Sequence, residues 1–457
     1  MSSHWISIYA LIGMFVLATV LPINMGVIAF VGAFLVGTLV AGMNAKAIMG
    51  GFPADLFLTL VGITYLFALA QNNGTIDWLV KLAVRAVRGR IAAIPWIMFF
   101  IAALLTAVGA VSPAAVAIIA PIALGFAAKY GINPLLMGLM VVHGAQGGGF
   151  SPISIYGGIT NKIVARAGLP LNEMATMLAS LGVNLAVALL LFFMFGGMKL
   201  VRQKADPTGA MPAVPRVAHG QGGAQVYGDA EGESFSEERR TATPDDDSLM
   251  DASPATPAEK GSRLYQIATV GGLLALAVLT LFFKQDIGFV SITIGLLLTL
   301  MAPNLQKRAL GQVSWPEIML IVGVSTYVGV MEKMGTIDFV GHSVAGLTSP
   351  LMAALLLCFV GAVVSAFASS TAVLGSLIPL AVPFLQGEAG VSAIGFIAAM
   401  AVSSTIVDVS PFSTNGALVL ANAKGVDRDV FFRHLMVYGA IVTVVAPVVV
   451  WLLFVVL

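Results

Sequence analysis

Two stretches of small hydroxyl side chains stand 259 residues apart and share one pattern. The first is Phe150-Ser151-Pro152-Ile153-Ser154-Ile155-Tyr156-Gly157. The second is Val409-Ser410-Pro411-Phe412-Ser413-Thr414-Asn415-Gly416. Both read Ser-Pro-x-Ser-x-x-Gly, and both lie inside long apolar segments. There, broken backbone and small polar groups are costly unless they line a cavity. Short hydroxyls and an amide can satisfy a carboxylate or a hard cation. Helix ends at a break do the same: N-termini favour an anion, carbonyl ends a cation. The chemistry on offer is reversible binding, not bond making.

The candidate ligand-binding residues are Ser112, Gln146, Ser151 and Ser154 in the first half. In the second half they are Ser370, Thr371, Ser410, Ser413, Thr414 and Asn415. A Ser or Thr in a membrane helix usually bonds its own backbone. Clustering at matched offsets beside Pro and Gly raises the functional reading. Two titratable residues break the symmetry. Asp408 stands just before Val409-Ser410-Pro411, where the first copy has Gly149. An acid at that depth faces a cavity or a partner. It is the candidate Na⁺ ligand or proton carrier, against the plainer role of a helix cap. His143 opens the first glycine-rich break and can titrate near neutral pH. Asp408, His143, Ser369 and Thr405 form the candidate coupling-ion set. Nothing points to an enzyme: no His/Asp/Glu cluster has metal-ligand spacing, and Ser151 with His143 is only a loose Ser–His pairing. No cofactor is expected beyond Na⁺ or H⁺ as coupling ion.

The elements that must position these residues follow from composition. The chain has 457 residues, 58% hydrophobic and 10% charged, with mean hydropathy +0.97. Soluble domains cannot hide that much apolar surface. The reading is an all-α polytopic membrane protein with the lipid bilayer as its solvent. The net charge of +1 says nothing about nucleic acid, no basic cluster suggests it, and no nucleic-acid partner is expected. Cys358, the single cysteine, is a small packing residue. The first apolar run, from about Trp5, has no basic segment before it and reads as a spanning helix, not a cleaved signal.

A bilayer core needs about 20 apolar residues per helix. Helices are predicted at 6–21, 23–41 and 54–72, then an amphipathic interfacial helix at 75–90. Residues 94–128 form two arms of about 15 residues around Val108-Gly109-Ala110-Val111-Ser112, a re-entrant hairpin with its tip near Ser112. Residues 133–165 carry the glycine run and Pro152, and read as a broken helix. A helix at 174–198 closes the first half, residues 1–199. Residues 200–263 hold eleven acids and seven bases amid Gly, Ser, Thr and Pro, and read as a disordered cytoplasmic linker. Residues 264–457 repeat the plan: helices at 264–283, 287–303 and 316–333, a hairpin at 350–385, a broken helix at 391–423 and a last helix at 434–456. Gly335-Thr336-Ile337-Asp338 mirrors Gly74-Thr75-Ile76-Asp77, and Pro379 mirrors Pro121, so that Ser370 stands opposite Ser112.

The fold class is therefore two inverted-topology repeats, each of five transmembrane helices (one discontinuous) plus a re-entrant hairpin. An odd number of crossings turns the second copy over. With both termini outside, 18 of the 23 Lys and Arg fall in the cytoplasm, linker included, as the positive-inside rule prefers. The hairpin tips would then meet near the midplane. No Lys or Arg falls there, so an anionic ligand would depend on hydroxyls, amides, helix ends and a co-bound cation. Doubled broken helices with this polarity are expected of a secondary transporter.

Inverted halves with a hairpin, a broken helix and Ser/Thr-rich tips resemble the ion transporter superfamily. Within it the chain is similar to MatC-type dicarboxylate (malonate) carriers, and more distantly to divalent anion:sodium symporters. The resemblance spans nearly everything except 200–263. In the symporters each hairpin tip carries Ser-Asn-Thr, touching carboxylate and sodium. Matching positions here read Ser112-Pro113-Ala114 and Ser370-Thr371-Ala372, so Ser112, Ser370 and Thr371 inherit that role and the Asn residues are missing. The resemblance implies cation-coupled uptake of a small dicarboxylate, malonate-like, across the bacterial inner membrane, by alternating access and as a homodimer. The alternatives are the membrane subunit of a tripartite carboxylate carrier and an oxyanion efflux transporter.

Overall fold

The computed structural model describes residues 2–457 apart from 22, 77, 80–81, 83–89, 202–262, 338, 341–348, 367–369, 387–390 and 424–425. The first half runs α1 (Ser3–Val20), α2 (Met25–Leu35, carried on to Val40 by a π turn), α3 (Ala54–Asn72) and α4 (Ala93–Ala107). It continues with α5 (Ser112–Tyr130), α6 (Pro134–Gly148), α7 (Ile155–Arg166) and α8 (Glu173–Met194). The second half runs α9 (Arg263–Leu281), α10 (Ile287–Met301), α11 (Trp315–Lys333) and α12 (Pro350–Ser365). It ends with α13 (Ser370–Gln386), α14 (Ala393–Ile406), α15 (Thr414–Asn422) and α16 (Arg428–Trp451). Short helices Ala45–Met49, Gly197–Val201 and Gln306–Gly311 lie between these elements. Most of the predicted 75–90 helix and of the linker 200–263 lie outside the described residues.

Helix starts are set by side-chain caps. Asn24, Asn133, Ser154 and Asn172 in the first half each accept a first-turn backbone N–H. So do Asp286, Ser349, Ser392, Ser413 and Asp427 in the second. An uncapped N–H has no water to turn to inside a bilayer, which makes these caps more valuable there.

Burial sorts the helices into an inner and an outer set. Two-thirds of α3 (67%) and 61% of α5 are buried, against 33% of α8 and 28% of α9 and of the C-terminal helix. Among the described residues these five are long and apolar enough to cross a membrane alone. The outer helices present large apolar side chains outward, such as Leu264, Ile267 and Leu274 on α9. Helices in lipid gain little hydrophobic drive toward one another, so close packing at small residues must hold them. Two crossings show this. At Gly26 (α2) a Cβ would collide with the Met319 carbonyl of α11, and at Gly323 (α11) with the Gly26 carbonyl. At Gly62 (α3) it would collide with Ser291 of α10, and at Gly288 (α10) with the backbone of Thr59. The second helix of each half thus crosses the third helix of the other.

The predicted hairpins and breaks map onto pairs of packed helices. α4 and α5 pack together and join through Val108–Val111, where Gly109 turns the chain at φ +114°. α5 is 19 residues long, longer than the arm of about 15 that was expected. Pro113 sits in its first turn, where the missing N–H costs nothing, and Pro121 lies inside the helix. α12 and α13 form the equivalent pair. α6 and α7 are parted by residues 149–154, α14 and α15 by 407–413. The halves then exchange partners again: α15 packs on α5, and α7 on α13.

Candidate functional site

The repeated motif is first of all a turn. Ser154 Oγ caps α7 by accepting the Gly157 N–H at 3.2 Å, and shares its own proton between the Ser151 carbonyl at 2.6 Å and the Gly149 carbonyl. Ser413 Oγ caps α15 in the same way: it accepts the Gly416 N–H at 3.3 Å and donates to the Ser410 carbonyl at 2.7 Å. Gly157 and Gly416 lie against the carbonyls of Ser151 and Ser410, where a Cβ would collide. The pattern therefore encodes a half-helix start and the glycine on which the turn folds back. The hydroxyl of Ser154, expected to face a ligand, is spent on that turn, while that of Ser413 also interacts with the Asp408 carboxylate.

The second copy carries a further contact. Asn415 Nδ2 donates to Asp408 Oδ2 at 2.8 Å and to Ser112 Oγ at 2.8 Å. Its backbone N–H lies 3.4 Å from Asp408 Oδ1, so the carboxylate also caps α15. All three residues are buried. The bridge joins the tip of the first hairpin to the second break. Tyr156 occupies the position matching Asn415 in the first copy, and it interacts with the side chain of Ser370, the first residue of α13. Ser370 Oγ in turn lies 2.7 Å from Ser365 Oγ at the end of α12. Each half thus sends one polar side chain from its second half-helix to the other half's hairpin tip.

The remaining candidates separate from this bridge. Thr405 Oγ1 donates to the Ala401 carbonyl at 2.9 Å within its own helix. Ser410 Oγ accepts the Phe412 N–H at 3.2 Å. Thr414 is exposed, while Ser151 and Thr371 are buried. Gln146 is buried with neither end of its amide hydrogen-bonded. Ser369 lies outside the described residues.

His143 is held elsewhere. Its Nδ1 lies 2.8 Å from Asn184 Oδ1, and its Nε2 lies 2.6 Å from the Tyr438 hydroxyl. Asn184 Nδ2 donates to the Ser180 carbonyl at 2.9 Å, which turns Oδ1 to the imidazole. Nδ1 therefore carries the proton, and Nε2 accepts from Tyr438. Next along α16, Gly439 lies against Ser410, so this triad ties α6 and α8 to the helix that covers the second break.

A charged cluster closes one face. Lys162 Nζ on α7 reaches Asp286 Oδ2, at the cap of α10, at 2.9 Å, and the Asp55 carbonyl, on α3, at 3.1 Å. Arg166 pairs with Asp55. Burial alone would push the Asp286 carboxyl up, but Lys162 and the Phe289 and Gly288 N–H groups hold it below the ordinary carboxylate value. The counterpart contact is neutral: Asn24 Nδ2 donates to the Pro316 carbonyl at 2.9 Å.

Sequence reasoning missed Asn184, Tyr438 and Tyr156. Asn184 is a lone amide in the apolar helix 174–198, itself a signal. The offset of 259 that pairs the motifs also pairs Tyr156 with Asn415.

Capped half-helices, two breaks and a buried acid among hydroxyls, inside an apolar helical body, define a polytopic membrane protein with a transporter fold. Residues 1–149 match the family model for the N-terminus of the dicarboxylate carrier protein MatC, which bears out the expected likeness over that part of the chain. No curated protein matches the chain. Among solved structures, the Alcanivorax borkumensis YdaH transporter is similar at TM-score 0.57 and 14% identity, covering 89% of this chain and 86% of that one. Neisseria gonorrhoeae MtrF, described within a class of antimetabolite efflux pumps, is similar at TM-score 0.56 and 12% identity, over 93% and 85% of the two chains. These likenesses concern the fold.

Proposed function

We propose that the chain is a cation-coupled secondary transporter that takes up a small, malonate-like dicarboxylate across the bacterial inner membrane. Residues 1–199 and 264–457 act as two inverted repeats. The observation that carries this reading is the buried bridge from Ser112 through Asn415 to Asp408. It brings the N-terminal ends of α5 and α15 together, where helix dipoles favour an anion. The same place holds an acid, which favours a cation. Among the described residues no Lys or Arg is buried, so a dianion would be neutralised by helix ends, hydroxyls and a co-transported cation. The MatC match over residues 1–149 supports the substrate class. The paired glycine crossings and the exchanged hairpin contacts support the repeats. Both termini then lie outside and the linker inside, and the protein works as a homodimer. In alternating access the hairpins and broken helices move together against a scaffold of the other helices.

The test is transport by the purified protein in liposomes. Radiolabelled malonate or succinate is offered under an imposed Na⁺ gradient, then under a pH gradient. Accumulation that collapses with one gradient is expected. Transport without a second component would separate the chain from a tripartite carrier. No uptake of either acid under either gradient would sink the proposal.

A further inference from the structure

The glycine crossings tie α2 to α11 and α3 to α10, and these four helices form one framework. The hairpins and broken helices form a second body. Within it the pairings match: α4 packs on α6 as α12 does on α14, and α15 packs on α5 as α7 does on α13. The contact between the two bodies does not match. α7 packs on α3 and α13 on α11, while their counterparts α15 and α5 have no such packing on α11 and α3. The second body is pressed against the framework on one side and stands off on the other. Exposure divides in the same way. Residues 149–154 of the first break are all buried. At the second break Phe412 is 41% exposed, where its counterpart Ile153 is 6% exposed. Thr414 is exposed, where Ile155 is buried. A hydroxyl exposed at the start of a half-helix in an apolar body meets water, not lipid. The side where α15 stands off from α11 is the open one.

Charge fastens the closed side. Lys162 and Arg166 at the end of α7 reach Asp55 at the start of α3 and Asp286 at the start of α10. Glu332, near the end of α11, lies within electrostatic reach of Arg166. Both bases belong to the moving body and all three acids to the framework. The Lys162 side chain is 17% exposed, so its pair with Asp286 is screened less than a free surface pair. The open side is built differently. At the offset of 259, Ala421 stands where the first half has Lys162. Glu317 opens α11 as Asp55 opens α3, yet it pairs with no described base.

We infer that the structure is the inward-open state, and that Lys162 and Arg166 with Asp55 and Asp286 form an ionic latch that must open in each transport cycle. The inference rests on the reading of the chain as a transporter of two inverted repeats. The positive-inside rule puts the far ends of α5 and α15 in the cytoplasm and the latch outside. Exchanging the roles of the two halves, with α15 on α11 and α5 on α3, gives the outward-open state. The latch is made only in the first of these states, so it biases the resting populations toward the cytoplasm.

The experiment is labelling of the full-length protein by a membrane-impermeant maleimide, in right-side-out and in inside-out membrane vesicles, with no dicarboxylate present. Thr414→Cys reports the open side and Ile155→Cys the closed one. The native Cys358 is buried and serves as the unreactive control. Thr414→Cys should react from the cytoplasmic face and Ile155→Cys should be slow from both. Adding Lys162→Met and Arg166→Met together should raise the labelling of Ile155→Cys from the outer face about fivefold and slow that of Thr414→Cys, as loss of partly exposed ion pairs allows. Asp55→Asn removes the latch from the framework side and should act alike, so a folding defect in one variant leaves the other to decide. Lys162→Arg keeps the charge and should label as wild type. A Thr414→Cys protein that is silent from the cytoplasmic face overturns the inference. So does an Ile155→Cys rate that no latch variant changes. Labelling as expected in a chain that takes up no dicarboxylate keeps the latch and removes the substrate. Gradient-driven uptake with labelling indifferent to the latch keeps the transporter and removes the latch.

Discussion

Asn415 and Ser112 are 303 positions apart, yet Asn415 Nδ2 donates to Ser112 Oγ at 2.8 Å with both side chains buried. The bond joins the first turns of α5 and α15, so two helix N-termini open onto one enclosed spot. One of them is already met by Asp408, whose carboxylate caps α15. The first hairpin is thereby locked to the second break, and what happens at Asp408 reaches the hairpin through a single amide.

That coupling predicts non-additive mutants. Ser112→Ala and Asn415→Ala should each raise the apparent KM for the dicarboxylate by roughly tenfold, the worth of about one hydrogen bond at a charged site. The double variant should be little worse than either single, with a coupling energy of about 1 kcal/mol. Initial uptake rates in liposomes supply the cycle. Additive effects would mean that the two residues act separately.

Ser154 and Ser413 should behave as caps, not as ligands. Each loses about 1 kcal/mol of stability on substitution by Ala, seen as a lower Tm. The KM of the folded variants should stay within about twofold of wild type, because uniform binding energy is untouched. A large rise in KM at unchanged Tm would return these hydroxyls to the substrate.

His143 is engaged at both ring nitrogens, so its replacement tests coupling against structure. Tyr438→Phe leaves Nε2 unpaired in a buried place and should cost about 1–3 kcal/mol. His143→Gln keeps donor and acceptor groups and should retain gradient-driven uptake at reduced Tm. Uptake that loses its gradient dependence while Tm stays unchanged would give His143 a coupling role.

The helical plan was legible because its signals are local. The segment 54–72 was bounded by hydropathy alone, and the breaks by Pro152, Pro411 and the glycine run. The recurring motif was legible because Ser-Pro-x-Ser-x-x-Gly encodes a turn, and the same turn needs the same residues at both places. What the motif's hydroxyls do was not legible. A serine that caps a half-helix and one that faces a ligand have the same spacing, and only the direction of Oγ separates Ser154 from Ser112. Asn184 and Tyr438 escaped notice for a related reason: each is an isolated polar residue, and its partner lies on a helix distant in sequence. Asp408 stood out, since an acid in an apolar segment is conspicuous without a structure. Its partner Asn415 was read as a substrate ligand, because pairing across seven residues of broken backbone has no fixed periodicity.

The cluster at the end of α7 predicts a sign for the pH dependence. Asp286 is held below its ordinary value of 3.8 in the folded state, chiefly by Lys162 against the opposing effect of burial. A depressed carboxyl contributes stability that is complete above the unfolded pKa and is lost as pH falls through the folded one. The contribution should therefore be constant from about pH 7 to about pH 5 and decline only below the ordinary carboxylate value. Lys162→Met should lower Tm by the same amount across that plateau. The gap should close in stronger acid and narrow with added salt. Its size is that of a partly exposed ion pair, about 1 kcal/mol or less. Asn24→Ser, at the neutral counterpart between α2 and α11, should shift Tm with no dependence on pH or salt. Thermal unfolding of the three proteins across pH, at two salt concentrations, makes the comparison. A Lys162→Met gap that widens as the pH falls toward 4 would mean that Lys162 does not act through Asp286.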